Sequence, residues 1–103
     1  MIRQILIEGK KRPFVMSMAT VEYYLFNRDV PLADLAKIFK NMTTKDLPEL
    51  ILQGFIVGAI LEGNECDLTV KDLLKAGIKG EINLIKLSEE LSSVSDEEKD
   101  QGK

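Results

Sequence analysis

Twelve consecutive residues, Leu50 to Leu61, read Leu-Ile-Leu-Gln-Gly-Phe-Ile-Val-Gly-Ala-Ile-Leu and contain one strongly polar side chain, Gln53. The segment follows helix-start signals, and as a helix it is apolar on nearly every side. A surface helix needs one apolar stripe, whereas a helix apolar all round must be covered on every side. In a chain of 103 residues little else is present to cover it. Either this helix is the axis of the core, or another molecule covers one of its faces.

The length and the 45% hydrophobic, 30% charged composition fit one ordinary soluble domain. A net charge of −3 gives no general attraction to nucleic acid or anionic membrane. The apolar run is too short for a bilayer, which takes about 20 residues. The start, Met1-Ile2-Arg3-Gln4, lacks the apolar region of a secretory signal. The single cysteine, Cys66, rules out an internal disulfide framework and suits a reducing cytoplasm. Histidine is absent, which removes the commonest general base and metal ligand together with thiolate–imidazole zinc sites and Cys–His nucleophilic pairs.

Residues 2–8 are short and β-branched and read as a strand. Gly9-Lys10-Lys11-Arg12 reads as a basic turn closed by Pro13, and residues 14–17 as a returning strand. The turn is either a solvated, solubilising loop or an electrostatic contact to a partner. Residues 18–28 predict a helix capped by Ser17, with Met18, Val21, Tyr24 and Leu25 at helical spacing. A second helix opens with Pro31 at its first position and carries Leu32, Leu35, Ala36 and Phe39 to near Asn41. Two frames compete for the start of the long helix, Thr43 with Asp46 and Asp46 with Glu49, and Pro48 favours the second. Within it Gly54 and Gly58 are spaced Gly-x-x-x-Gly. Each mid-helix glycine costs about 1 kcal/mol relative to alanine, so a close backbone approach is expected, either inside the chain, for instance against the helix at 31–40, or between subunits.

Residues 63–67 read as a loop. Thr69-Val70-Lys71-Asp72 is a capping box opening a helix through Leu73, Leu74 and Ala76, with Gly77 and Gly80 as alternative stops. A last helix, 81–91, carries Ile82, Leu84, Ile85, Leu87 and Leu91. From Ser92 the apolar periodicity stops, and the charged run to Lys103 reads as a flexible acidic tail. The expected fold is mainly α (α+β): a short N-terminal β-hairpin and about five helices in one bundle over residues 1–91, then a disordered tail over 92–103.

No constellation for catalysis emerges. Glu89/Glu90 point apart on a helix and Glu97/Glu98 fall in the tail; the glycines fit no phosphate loop. No catalytic, cofactor or metal residue is assigned. The helices at 31–40 and 46–61 have helix-turn-helix lengths, but the second offers Asp46, Glu49 and a wall of Leu, Ile and Phe where a recognition helix needs polar and basic groups.

This layout resembles the small tail assembly chaperones of long-tailed bacteriophages. The resemblance is carried by the strand and basic turn running into Pro13-Phe14-Val15-Met16, then Val30-Pro31-Leu32-Ala33-Asp34-Leu35 and its helix. Thr44-Lys45-Asp46-Leu47 follows, leading to Gln53-Gly54-Phe55-Ile56, and then Leu68-Thr69-Val70-Lys71-Asp72-Leu73-Leu74 with a final helix. It covers roughly residues 4–91 and is one of architecture. It implies a non-enzymatic cytoplasmic protein, absent from the finished virion, with the tape measure protein and the tail tube protein as partners. Members of the family coat the tape measure protein, keep it soluble and help tube subunits polymerise around it. Many also exist in a longer frameshifted form, for which residues 92–103 would be the linker. A homo-oligomer is compatible with this reading. A small helical adaptor or regulator is the alternative, and gene order would separate the two. On the chaperone reading the expected partner surface is Leu52, Phe55, Ile56 and Ile60, with the glycine-lined side at Gly54 and Gly58.

Overall fold

The computed structural model describes residues 2–43 and 45–101, and the side chains of these except at 32 and 94–101. Strands β1 (Ile2–Ile7) and β2 (Lys10–Val15) pair antiparallel, from Ile2 opposite Val15 to Ile7 opposite Lys10. The connection is only Glu8-Gly9, both with positive φ, 53° and 78°. This is the primed turn geometry whose twist matches that of the strands. Lys10, Lys11 and Arg12 therefore belong to β2. The expected four-residue basic turn is corrected, because two left-handed residues suffice to reverse the chain. Hydrogen-bonded and non-bonded pairs alternate from the closing Ile7–Lys10 pair, so Pro13, opposite Gln4, falls where no N–H is needed.

Five helices follow: α1 (Met18–Asn27), α2 (Leu35–Asn41), α3 (Leu47–Leu61), α4 (Val70–Ile78) and α5 (Leu84–Gln101), with a 3-10 turn at Leu32–Asp34 before α2. Ser17 caps α1, its hydroxyl accepting from the Ala19 N–H at 3.3 Å. The buried Thr20 donates its hydroxyl to the Val15 carbonyl at 2.6 Å, which ties α1 to the end of β2. α2 opens at Leu35 instead of Pro31, and its inner residues are Leu35, Ile38 and Phe39, all half-buried, while Ala36 is exposed.

Neither expected capping box opens α3. The Asp46 carboxylate turns back to accept from the Thr43 N–H and hydroxyl, both at 3.1 Å, and Glu49 pairs with Arg28 instead. The box at α4 is complete. Thr69 accepts from the Asp72 N–H at 3.2 Å, and Asp72 accepts from the Thr69 N–H at 2.9 Å. The final helix starts at Leu84, not Glu81, because Asn83 caps it by accepting from the Lys86 N–H at 3.0 Å. Its last core residue is Leu91, fully buried, while the helical backbone continues to Gln101. Residues 102 and 103 lie outside the described residues.

Helices α1, α3 and α4 end alike. Asp29, Gly63 and Gly80 take positive φ, and the next N–H returns to a carbonyl five residues back: Val30 to Leu25 at 3.1 Å, Asn64 to Ala59 at 2.8 Å, Glu81 to Ala76 at 2.9 Å. This satisfies carbonyls that a helix end otherwise leaves open.

The apolar α3 is the core axis. It packs against β2, α1, α4 and α5. Leu50, Ile51, Phe55, Val57 and Ala59 are buried, and Phe55 meets Phe14 edge-to-face with ring centroids 5.0 Å apart. Gln53, the polar interruption, accepts from the Asn27 amide at 2.9 Å and donates to the Glu49 carbonyl at 3.1 Å.

Candidate binding surface

The glycine-lined side of α3 is occupied by the chain itself. A Cβ on Gly54 would overlap the Phe14 ring, and one on Gly58 would overlap the Pro13 carbonyl. The element that approaches closely is thus β2, not the helix at 31–40 and not a second subunit. Phe55 is 2% exposed beneath that strand. Of the six residues expected at a partner surface, Gly54, Phe55 and Gly58 are internal, Leu52 and Ile56 are half-buried, and Ile60 is exposed beside Leu61.

Among the described residues, three of the eight exposed large apolar side chains, Leu74, Ile78 and Ile85, lie together elsewhere. Between α4 and the start of α5 lies an open groove of about 770 Å³, lined by Leu47, Leu74, Ile78, Ile82, Leu84 and Ile85. Ile78 is 87% exposed, Ile85 56% and Leu74 45%. The local sequence builds it. Gly80 stops α4, Asn83 starts α5, and the buried Ile82 pins the short link between them. On α4, Leu73 and Ala76 face the core. Leu74 and Ile78, four residues apart, form a second line one step round the helix. Beside that line run Lys71, Lys75 and Lys79, also four apart and all exposed. Lys75 reaches Glu8 at 3.5 Å, and Glu81 accepts from the Glu8 N–H at 2.7 Å, so the hairpin turn is moored to the groove's edge. The spacing of Leu74 and Ile78 was the signal available in the sequence; a helix carrying two apolar lines has one more than its own core uses.

Two charged clusters serve the fold. Arg28 lies over the Tyr24 ring at 4.6 Å and pairs with Glu49 and, at 3.9 Å, with Asp46, joining the end of α1 to the start of α3. Burial raises the Tyr24 pKa above its ordinary value, opposed by the Arg28 charge. The Asp46 carboxyl lies below the usual range, first because the Thr43 N–H donates to it. Arg12 of β2 pairs with Asp67 in the loop before α4. That hydrogen bond, followed by the Arg12 charge, lowers the Asp67 pKa. Lys10 and Lys11 remain exposed along a cleft of about 530 Å³ that also holds the half-buried Cys66.

Among the described residues no three His, Cys, Asp or Glu side chains are grouped to hold a metal ion, and no helix is long and apolar enough to cross a membrane. Comparison with protein-family models, curated proteins and solved structures finds no match to this chain.

Proposed function

We propose that this protein is a non-enzymatic tail assembly chaperone of a long-tailed bacteriophage, holding the tape measure protein in solution in the host cytoplasm and promoting tail tube assembly around it. The observation that carries the reading is the α4/α5 groove, whose exposed Leu74, Ile78 and Ile85 stand beside a lysine ridge. Such a groove suits an amphipathic client helix whose apolar residues recur every three to four positions and whose flank is acidic.

Magnitudes favour many weak contacts over one strong one. Fully burying a Leu or Ile side chain is worth about 1.5–3 kcal/mol, and these three are already partly covered. Their sum, about 3–6 kcal/mol, reaches only the low end of the association cost of about 4–15 kcal/mol, so one copy on one helix binds weakly. A long client with repeated sites collects many copies, and weak contacts in series give avidity without blocking later displacement by tube subunits.

Co-expression with the tape measure protein encoded by the same genome tests this. The wild-type chain is expected to keep the client in the soluble fraction. The double variant Ile78→Lys/Ile85→Glu is expected to lose that ability while retaining its helical circular dichroism. Both positions are exposed, and the new charges suit the α4 C-terminus and the α5 N-terminus. A double variant that holds the client as well as wild type would overturn the groove assignment. A genome with no tape measure reading frame near this gene would overturn the chaperone reading itself.

A further inference from the structure

The two-stranded sheet has one closed edge and one open edge. On the β2 side Pro13 turns its carbonyl toward Gly58, and α3 covers the strand. On the β1 side, alternation from the closing pair directs the N–H and C=O groups of Arg3, Ile5 and Ile7 to β2 and those of Ile2, Gln4 and Leu6 outward. Among the described residues none of these outward groups takes part in a backbone hydrogen bond beyond the hairpin. All three side chains are exposed, Ile2 by 48% and Leu6 by 53%. Natural edge strands are blunted by lysines, proline, bulges or a covering element. The outward positions of β1 carry none of these, and its one cation, Arg3, is held by Glu90 at 2.8 Å.

We propose that β1 is a homotypic docking edge, pairing antiparallel with β1 of a second copy about a two-fold axis through Gln4 to make a four-stranded sheet. The strand is self-complementary in that register. Ile2 meets Leu6 of the second copy, Gln4 meets Gln4 of the second copy, and Leu6 meets Ile2 of the second copy. Every one of these residues presents its backbone groups outward, so each pair is hydrogen-bonded. Arg3 faces Ile5 of the second copy, so no like charges meet. A slip of two residues in one direction sets Ile2 against Glu8, and in the other it runs Leu6 off the strand end. The register centred on Gln4 is therefore the one that keeps both apolar pairs. None of the groove-lining residues lies in β1, so this edge and the client groove can act together, linking neighbouring copies on one client.

Sedimentation velocity of the full chain over a concentration series is the test, with amide hydrogen exchange at the same concentrations. Concentration-dependent dimerisation is expected, and the Gln4 and Leu6 amides gain protection as dimer forms. Gln4→Lys and Gln4→Glu each place like charges on the axis and weaken association by about tenfold; mixing the two restores it. A wild-type chain that stays monomeric overturns the proposal, as does a dimer that leaves the Gln4 and Leu6 amides unprotected. A Lys/Glu mixture associating no better than either variant alone does so too. A chain monomeric alone whose edge amides are protected only with client present assigns the edge to a client strand and equally overturns it.

Discussion

At the residue scale, the glycines separate two meanings that a sequence writes with one letter. At Gly58 the obstacle to a side chain is the backbone of Pro13, which cannot swing away as a side chain can. At Gly77 the nearest atom to a new Cβ is Leu84 Cδ1 at 3.6 Å, an ordinary contact. Gly58→Ala is therefore expected to destabilise by about 1–3 kcal/mol through overpacking, despite the better helix propensity. Gly77→Ala is expected to stabilise by about 0.5–1 kcal/mol. Urea denaturation of both variants checks the opposite signs. The Gly-x-x-x-Gly spacing announced a close approach, but a glycine specifies that something comes near, not what, and β2 could not be identified as the visitor from residues 54 and 58 alone. Titration belongs to this scale too. Asp46 and Asp67 have folded-state pKa values lowered from 3.8. The unfolded chain takes up these protons first as pH falls, so their contribution is fully present above that value and is lost as pH drops through the lowered folded values. Unfolding midpoints measured from about pH 5 to pH 2 should fall less steeply in Asp46→Asn than in wild type. The difference should be small, since both carboxylates are solvated.

At the element scale, legibility followed how local the determinant was. The Thr69–Asp72 box was readable because both halves lie within four residues and nothing competes with them. Thr69→Ala is expected to cost about 1 kcal/mol, measurable as a lower urea midpoint, with α4 the first helix to lose amide protection. At α3 the start was readable from Pro48, which stands in the first turn after Asp46 as that frame requires, but the capping contacts were not. Thr43, Asp46 and Glu49 offer overlapping frames, and the tertiary partner Arg28 takes Glu49 out of the contest. The hairpin was legible as a pair of strands but not in its turn, since a left-handed Glu8 is an uncommon choice and the basic residues after Gly9 mimic a loop. For α5, Asn83 settles the start, while the break in apolar pattern after Leu91 marked the end of packing and not the end of helical backbone.

At the scale of the whole molecule, an all-round apolar α3 is accommodated because four elements surround it. Burying that helix uses β2 and helices α1, α4 and α5, and the second apolar line on α4 and the first turn of α5 are left open to solvent. The fold class was thus readable from periodicity and caps. The placement of the exposed apolar surface was not, because it depends on how the short link through Ile82 sets α4 against α5. On the proposed function, a client is held in this groove and not on α3. Amide hydrogen exchange of the full chain, with and without a soluble fragment of the tape measure protein, tests it most directly. New protection is expected to be confined to α4 and the first turn of α5, with α3 unchanged. Protection appearing at Ile60 and Leu61 while α4 exchanges as before would contradict it.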